Sequence, residues 1–224
     1  MSDAERGGAI ITGAGPGVSG SVARLLAQQG HAVGLLGVDR GTVEAVADEI
    51  RAAGGTAHVA LADLTDAVAA RAAVAGLGER VGPVDVLHFN PSAFREKDPL
   101  ELEPHELLED VLLGVGSLLT VVQAARPFLR EGSRVTVTGS MAADRPWHRA
   151  ASLGVQKAGV RNLVHSIDAT LRDDGIRAVS VTVRGTLSDD GPFTPARVAA
   201  AILAAVDQDG AVGDDWRTEV AYEG

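Results

Sequence analysis

The segment from Gly8 to Gln29 constrains the chain most. Gly8-Ala9-Ile10-Ile11-Thr12 is a short apolar strand candidate, Gly13-Ala14-Gly15-Pro16-Gly17-Val18-Ser19-Gly20 is a tight turn, and Val22, Leu25, Leu26 and Gln29 then follow a helical pattern. A helix N-terminus offers unpaired backbone N–H groups and positive potential, while glycines let the turn come close to a pyrophosphate. Strand, turn and helix together imply a dinucleotide site; a glycine turn that merely packs helix on sheet is the plainer alternative. A nucleoside-triphosphate loop is excluded. Gly15 and Gly20 have the right separation for one and Ser21 follows, but no lysine lies between Gly20 and Ser21.

The same alternation continues downstream. Strands are predicted at His31–Val38, Thr56–Leu61, Asp85–Asn90, Arg134–Thr138 and Ile176–Val183, with an edge strand at Glu219–Tyr222. Helices are predicted at Thr42–Ala53, from the capping run Asp63-Leu64-Thr65-Asp66 onward, through most of Glu101–Arg130 with a break near Pro104, and at Ala151–Arg172 and Pro195–Val206. Parallel βαβ units in this order imply an α/β fold: a doubly wound, mostly parallel sheet with helices on both faces. Residues 1–224 are read as one dinucleotide-binding domain, with a short substrate-side segment at 187–195.

Composition narrows the partners. A net charge of -10 without a basic stripe argues against nucleic acid. Cysteine is absent, which removes disulfides, thiolate nucleophiles and Cys-based zinc sites. His31, His58 and His165 lie at no metal-ligand spacing, so no metal is expected. The apolar stretches read as too short or interrupted to cross a membrane, and the N-terminus shows no leader, so a cytoplasmic protein is expected.

With these elements placed, the chain resembles the short-chain dehydrogenase/reductase family from about Gly8 to Thr186. The family's Thr-Gly-x-x-x-Gly-x-Gly pattern falls on Thr12, Gly13 and Gly17, with Ser19 at the last glycine and Gly20 next. Its aspartate after the third strand falls on Asp63, and its Asn-Asn-Ala-Gly run becomes Phe89-Asn90-Pro91-Ser92. Its Pro-Gly after the sixth strand becomes Arg184-Gly185, with Thr186 near a threonine that assists the nicotinamide end. The resemblance implies NAD or NADP held by Thr12, Gly13, Gly15, Gly17, Val18, Asp63, Asn90, Lys157, Gly185 and Thr186. Beyond the second strand, Asp39 and Arg40 sit two residues past the usual ribose-reading point, and the cofactor type stays open.

The family's catalytic serine and lysine fall on Ser140 and Lys157, whereas its tyrosine position is Leu153 and its helical asparagine position is Gly114. Leucine has no proton to exchange, so another group must manage the substrate oxygen. Ser140 is a candidate oxyanion donor, and Asp144 and His148 are candidate acid or base groups in the loop beyond it. Trp147 is a candidate stacking face, His88 a buried structural histidine, and Tyr222 a sheet-edge residue. Three functions follow: an NAD(P)(H)-dependent oxidoreductase with an altered proton path, acting on a small or polycyclic carbonyl or enone; a non-redox cyclase, isomerase or dehydratase; or a non-catalytic dinucleotide-responsive subunit. A homodimer or homotetramer is expected, through Leu112, Val115, Gly116 and Leu119 on one helix and Ala158, Val160, Arg161, Val164 and Ile167 on the other.

Overall fold

The structure, a computed structural model, describes residues 6–208 and 215–224. Its centre is a seven-stranded parallel sheet in the order β3-β2-β1-β4-β5-β6-β7. The strands are β1 (Gly8–Thr12), β2 (Val33–Gly37), β3 (Ala57–Leu61), β4 (Val84–Phe89), β5 (Leu129–Ser140), β6 (Arg177–Val183) and β7 (Glu219–Tyr222). Helices α1 (Val18–Gln28), α2 (Arg40–Ala52) and α3 (Ala67–Val81) connect the first four strands. After β4 come α4 (Pro104–Val111), a π turn (Leu112–Gly116) and α5 (Ser117–Ala125), then α6 (Ala151–Leu171) and α7 (Pro195–Asp207). Chain order reverses between β1 and β4, opening a crevice at the carboxyl ends of the strands.

Alternation along β1 builds both cores at once. Ala9 and Ile11 face α1, α2 and α7, where Val22, Leu26, Val46, Ile50, Val198 and Ile202 are buried. Ile10 faces the other side, with Val74, Leu77, Leu118, Val121, Val160 and Val164. Each such leucine or isoleucine contributes about 1.5–3 kcal/mol by leaving water.

Several boundaries differ from the sequence reading. Asp66, not Asp63, caps α3, because its carboxylate reaches the N–H groups of Val68 and Ala69 at 3.0 and 3.1 Å. Pro104 starts α4 rather than breaking a helix, since proline at the first position gives up an N–H that has no partner there. The stretch predicted as helix to Arg130 ends at Phe128, and β5 begins at Leu129. On α6, Val160, Val164 and Ile167 turn into the second core, so they leave the flank on which an interface was expected. Leu112 and Leu119 stay exposed.

The Pro104–Phe128 run is long and apolar enough, by composition, to cross a membrane, contrary to the sequence reading. Its apolar character has a local use: Leu118, Val121 and Ala125 are buried against the sheet.

Candidate dinucleotide and substrate cleft

The glycine turn closes on itself through a serine. Ser19, almost fully buried, donates its hydroxyl to the Gly13 carbonyl at 2.8 Å and accepts from the Gly15 N–H at 3.1 Å. The residue standing at the pattern's last glycine thus laces the turn from within. Gly20 permits this approach, because a Cβ there would overlap the Gly15 carbonyl oxygen. Gly17 caps α1 without any side-chain hydrogen bond, so the first-turn N–H groups remain available to a ligand. No Cβ stands over Gly15 or Gly17, and a bound pyrophosphate fits this bare, positive helix end.

Two adjoining cavities run along the carboxyl ends of the strands, sharing Gly13, Asn90 and Ser92. The larger, about 840 Å³, is lined by Gly37, Val38, Asp63, Leu64, Thr65 and Leu113 among others. Asp63 belongs to this wall, where its carboxylate also accepts from the N–H and hydroxyl of Thr65 at 2.8 and 2.7 Å. Those bonds hold its pKa below the usual value. Asp39 is spent as the cap of α2, accepting from the N–H and hydroxyl of Thr42 at 2.8 and 2.6 Å. At the end of β2 the cavity is lined by Gly37 and, just beyond the strand, by Val38.

The smaller cavity, about 450 Å³, brings together Gly15, Gly17, Val18, Ser140, Leu153, Lys157 and Gly185. Lys157 is buried and donates from Nζ to the Thr138 carbonyl at 3.0 Å. Burial pushes its pKa down to about 8. Ser140 accepts from the Ala142 N–H at 3.2 Å, which leaves its hydroxyl proton free to donate. Behind this wall lies His88, fully buried, with Nδ1 2.7 Å from Thr136 Oγ1 and Nε2 3.4 Å from Thr138 Oγ1. Burial, reinforced by the Lys157 charge, lowers its pKa to about 3, so the ring is neutral.

Four predicted site residues stand elsewhere. Thr12 is fully buried and donates to the His88 carbonyl at 3.2 Å, tying β1 to β4 rather than facing the cavity. Asp144 is committed to Arg161 at 2.6 Å and lines a separate depression with Met141, Arg145, Arg184 and Glu223. His148 sits on an exposed 3-10 turn, and Thr186 is exposed beyond the cavity rim. The structure adds residues that spacing did not single out. Ser92 and Phe94 line the smaller cavity, and Phe94 stacks on Trp147 with ring centroids 6.4 Å apart. Their segment is tied to α4 by Arg95, which donates to Asp110 at 3.0 and 3.1 Å, and by Lys97, which lies 2.6 Å from Glu106.

A family model described as short chain dehydrogenase matches residues 8–190. The chain belongs to that family. Among curated members, the L-rhamnose 1-dehydrogenase (NAD(P)(+)) of Azotobacter vinelandii is 32% identical over 188 residues, 81% of this chain and 73% of its own. Oxidoreductase UcpA of Salmonella typhimurium is 29% identical over 179 residues, 77% of this chain. The chain spans 66% of UcpA and 58% of an uncharacterised oxidoreductase of Methylorubrum extorquens, under two thirds of each. Among solved members, a short chain dehydrogenase of Burkholderia cenocepacia J2315 in complex with NADP superposes with a TM-score of 0.86 at 26% identity, covering 97% of this chain and 96% of that one. An NADPH-bound short chain oxidoreductase of Pseudomonas aeruginosa PAO1, described as containing an atypical catalytic center, shares the fold with a TM-score of 0.86 at 21% identity, over 99% and 97% of the two chains.

Proposed function

We propose that this short-chain dehydrogenase binds NAD or NADP and interconverts a small or polycyclic carbonyl or enone with its reduced form, using Lys157 and Ser140 in place of a tyrosine. One observation carries the reading: the uncapped N-terminus of α1 opens into the same cavity as Ser140 and Lys157. When bound, the nicotinamide dinucleotide supplies or accepts a hydride. The N–H groups of Gly17, Val18 and Ser19 would hold the pyrophosphate, and Asp63 and Val38 would border the adenosine half. The fit suits NADP as well as NAD, since Val38 brings no charge to the ribose.

Proton traffic falls to what the cavity offers. Lys157 spends one N–H on Thr138 and keeps two for a substrate oxygen or a ribose hydroxyl. Its ammonium donates the proton that a reduced carbonyl oxygen requires, and Ser140 donates a hydrogen bond to the developing oxyanion. Leu153, Leu187 and the Phe94–Trp147 pair give the mouth an apolar, flat wall, which favours a planar substrate. Asp144 and His148, on which a non-redox reaction would draw, stand outside the cavities. Exposed Leu108, Leu112, Leu119 and Val155 support a homodimer or homotetramer through the α4–α5 and α6 surfaces.

Calorimetric titration with NADH and NADPH, followed by nicotinamide absorbance with planar enones and ketones, tests the proposal. Binding with turnover that disappears in Lys157→Met supports it; no binding of either dinucleotide overturns it.

A further inference from the structure

Part of the smaller cavity's lining, the segment from Asn90 to Phe94, lies outside any helix or strand. Asn90 and Ser92 on it border both cavities and Phe94 borders one, so its position sets how the two halves of the cleft meet. Its centre is held by a side chain. Gln156 of α6, fully buried, accepts from the Ala93 N–H through Oε1 at 2.9 Å and donates to the Ala93 carbonyl through Nε2 at 3.2 Å. A second Nε2 hydrogen bond reaches the Ser152 carbonyl at 3.3 Å, fixing the amide's orientation on its own helix. The primary amide pairs with both backbone groups of one residue, as a neighbouring strand does.

Space for that amide comes from the facing helix. At the π turn, buried Gly114 lies against α6, and a Cβ there would overlap Gln156 Oε1 and come within 2.9 Å of its Cγ and Cδ. Gly114 and Gln156 therefore exclude any side chain at one position and use the vacated volume from the other.

We infer that Gln156 is the positioning residue of this cleft: its amide, seated in the volume left by Gly114, fixes Ala93 and through it Asn90, Ser92 and Phe94. The assignment goes beyond the proposed oxidoreductase activity, since it concerns what holds the wall whichever molecule binds there. Methionine matches glutamine in length but makes neither bond, and glutamate cannot donate to the Ala93 carbonyl.

Hydrogen exchange of the full chain, read on peptides covering residues 90–98, tests this alongside dinucleotide affinity. In Gln156→Met, exchange at Ala93 should quicken about thirtyfold, the weight of two neutral hydrogen bonds. Exchange at Lys97, held from α4, should stay as in the wild type, and affinity for NADH or NADPH should fall about fivefold to tenfold. Unchanged exchange at Ala93 in a folded Gln156→Met overturns the assignment. If that variant does not fold, Gly114→Ala and Gly114→Ala/Gln156→Ser decide: the alanine should lower the melting temperature in the wild-type background and not in the serine background. Equal losses in both backgrounds also overturn it. Should the wild type bind neither dinucleotide, the proposed function fails while the exchange and double-variant measurements still decide the role of Gln156.

Discussion

The two halves of the cleft are built from different materials. On the side of β1, β2 and β3 the binding surface is largely backbone: the α1 N-terminus, bare glycines and a turn laced by Ser19. On the side of β4, β5 and β6 it is side chains: Ser140, Leu153, Lys157, Phe94 and, behind them, Gln156. A backbone site tolerates substitution as long as the turn closes, so Ser19 can stand where the family pattern has glycine. A side-chain site changes its chemistry with every substitution. Under the proposed function, Leu153 and Gly114 change the chemistry of the reacting half while the gripping half keeps its role.

The contrast breaks most sharply at Gly17. Aspartate there has open space and a carboxylate able to cap α1, but the backbone at φ -74° and ψ -128° lies outside the regions that side chains prefer. That cost offsets the cap, and the melting temperature should fall by no more than a few degrees. The same carboxylate occupies and repels the pyrophosphate position, and dinucleotide affinity should fall more than about a hundredfold in calorimetry. Retained affinity would show that the grip lies elsewhere.

Lys157→Met should remove turnover by a factor of about 10² or more while retaining the fold. Because burial lowers the amine's pKa to about 8 from 10.5, the folded state resists protonation that the unfolded chain accepts. The resulting cost is full below pH 8 and fades as pH rises to 10.5, so the wild type should gain on the order of 3 kcal/mol relative to Lys157→Met across that window in denaturant melts. Reduction by the wild type should slow above about pH 8, where the ammonium is lost.

Leu153→Tyr sharpens the same contrast at smaller scale. With a phenol beside Lys157, reduction of simple ketones should rise about tenfold, with dinucleotide affinity unchanged. No rise would mean that the Gln156-set wall, more than the missing acid, limits ordinary substrates.

The smallest effect is expected at the α4 anchor of the wall. The hydrogen bond from Lys97, with the Glu103 N–H and Arg95, lowers the Glu106 pKa to about 2. Its stabilisation is present above about pH 4.5 and is lost as pH falls through 2. Glu106→Gln should therefore lower the melting temperature by a few degrees at pH 7, match the wild type at pH 2, and leave dinucleotide affinity within about twofold.

The sequence made the gripping half readable because its signals are local: apolar alternation in β1, glycines in the turn and a helical pattern after it. Asp63, Asn90 and Lys157, singled out through the family's motifs, line the two cavities. What escaped depends on contacts across the sheet. Ser19 reads as a lost glycine until its hydroxyl is seen between Gly13 and Gly15, and Gln156, adjacent to Lys157, carries no spacing signal of its own. A paired clue existed in Gly114, since a small residue inside an apolar helix often makes room for a neighbour, but one chain does not say which. His148 and Asp144 were drawn in by residue type and loop position, and only the fold reveals the outward turn and the Arg161 ion pair.

The placement of the two tryptophans gives the protein its own optical reporters. Trp216 is 6% exposed, with its indole N–H on the Ala178 carbonyl at 3.0 Å and the guanidinium groups of Arg134 and Arg177 within 5.2 Å of its ring centre. Trp147 is 47% exposed and stacks on Phe94 at the mouth of the cleft. The first, shielded from water beside two guanidinium groups, should shift its emission when the β5–β6 packing opens; the second, half-exposed, should emit further to the red and dim when a flat ligand lies against it. A single emission spectrum thus separates occupancy of the cleft from loss of the sheet, without a label or a substrate in hand.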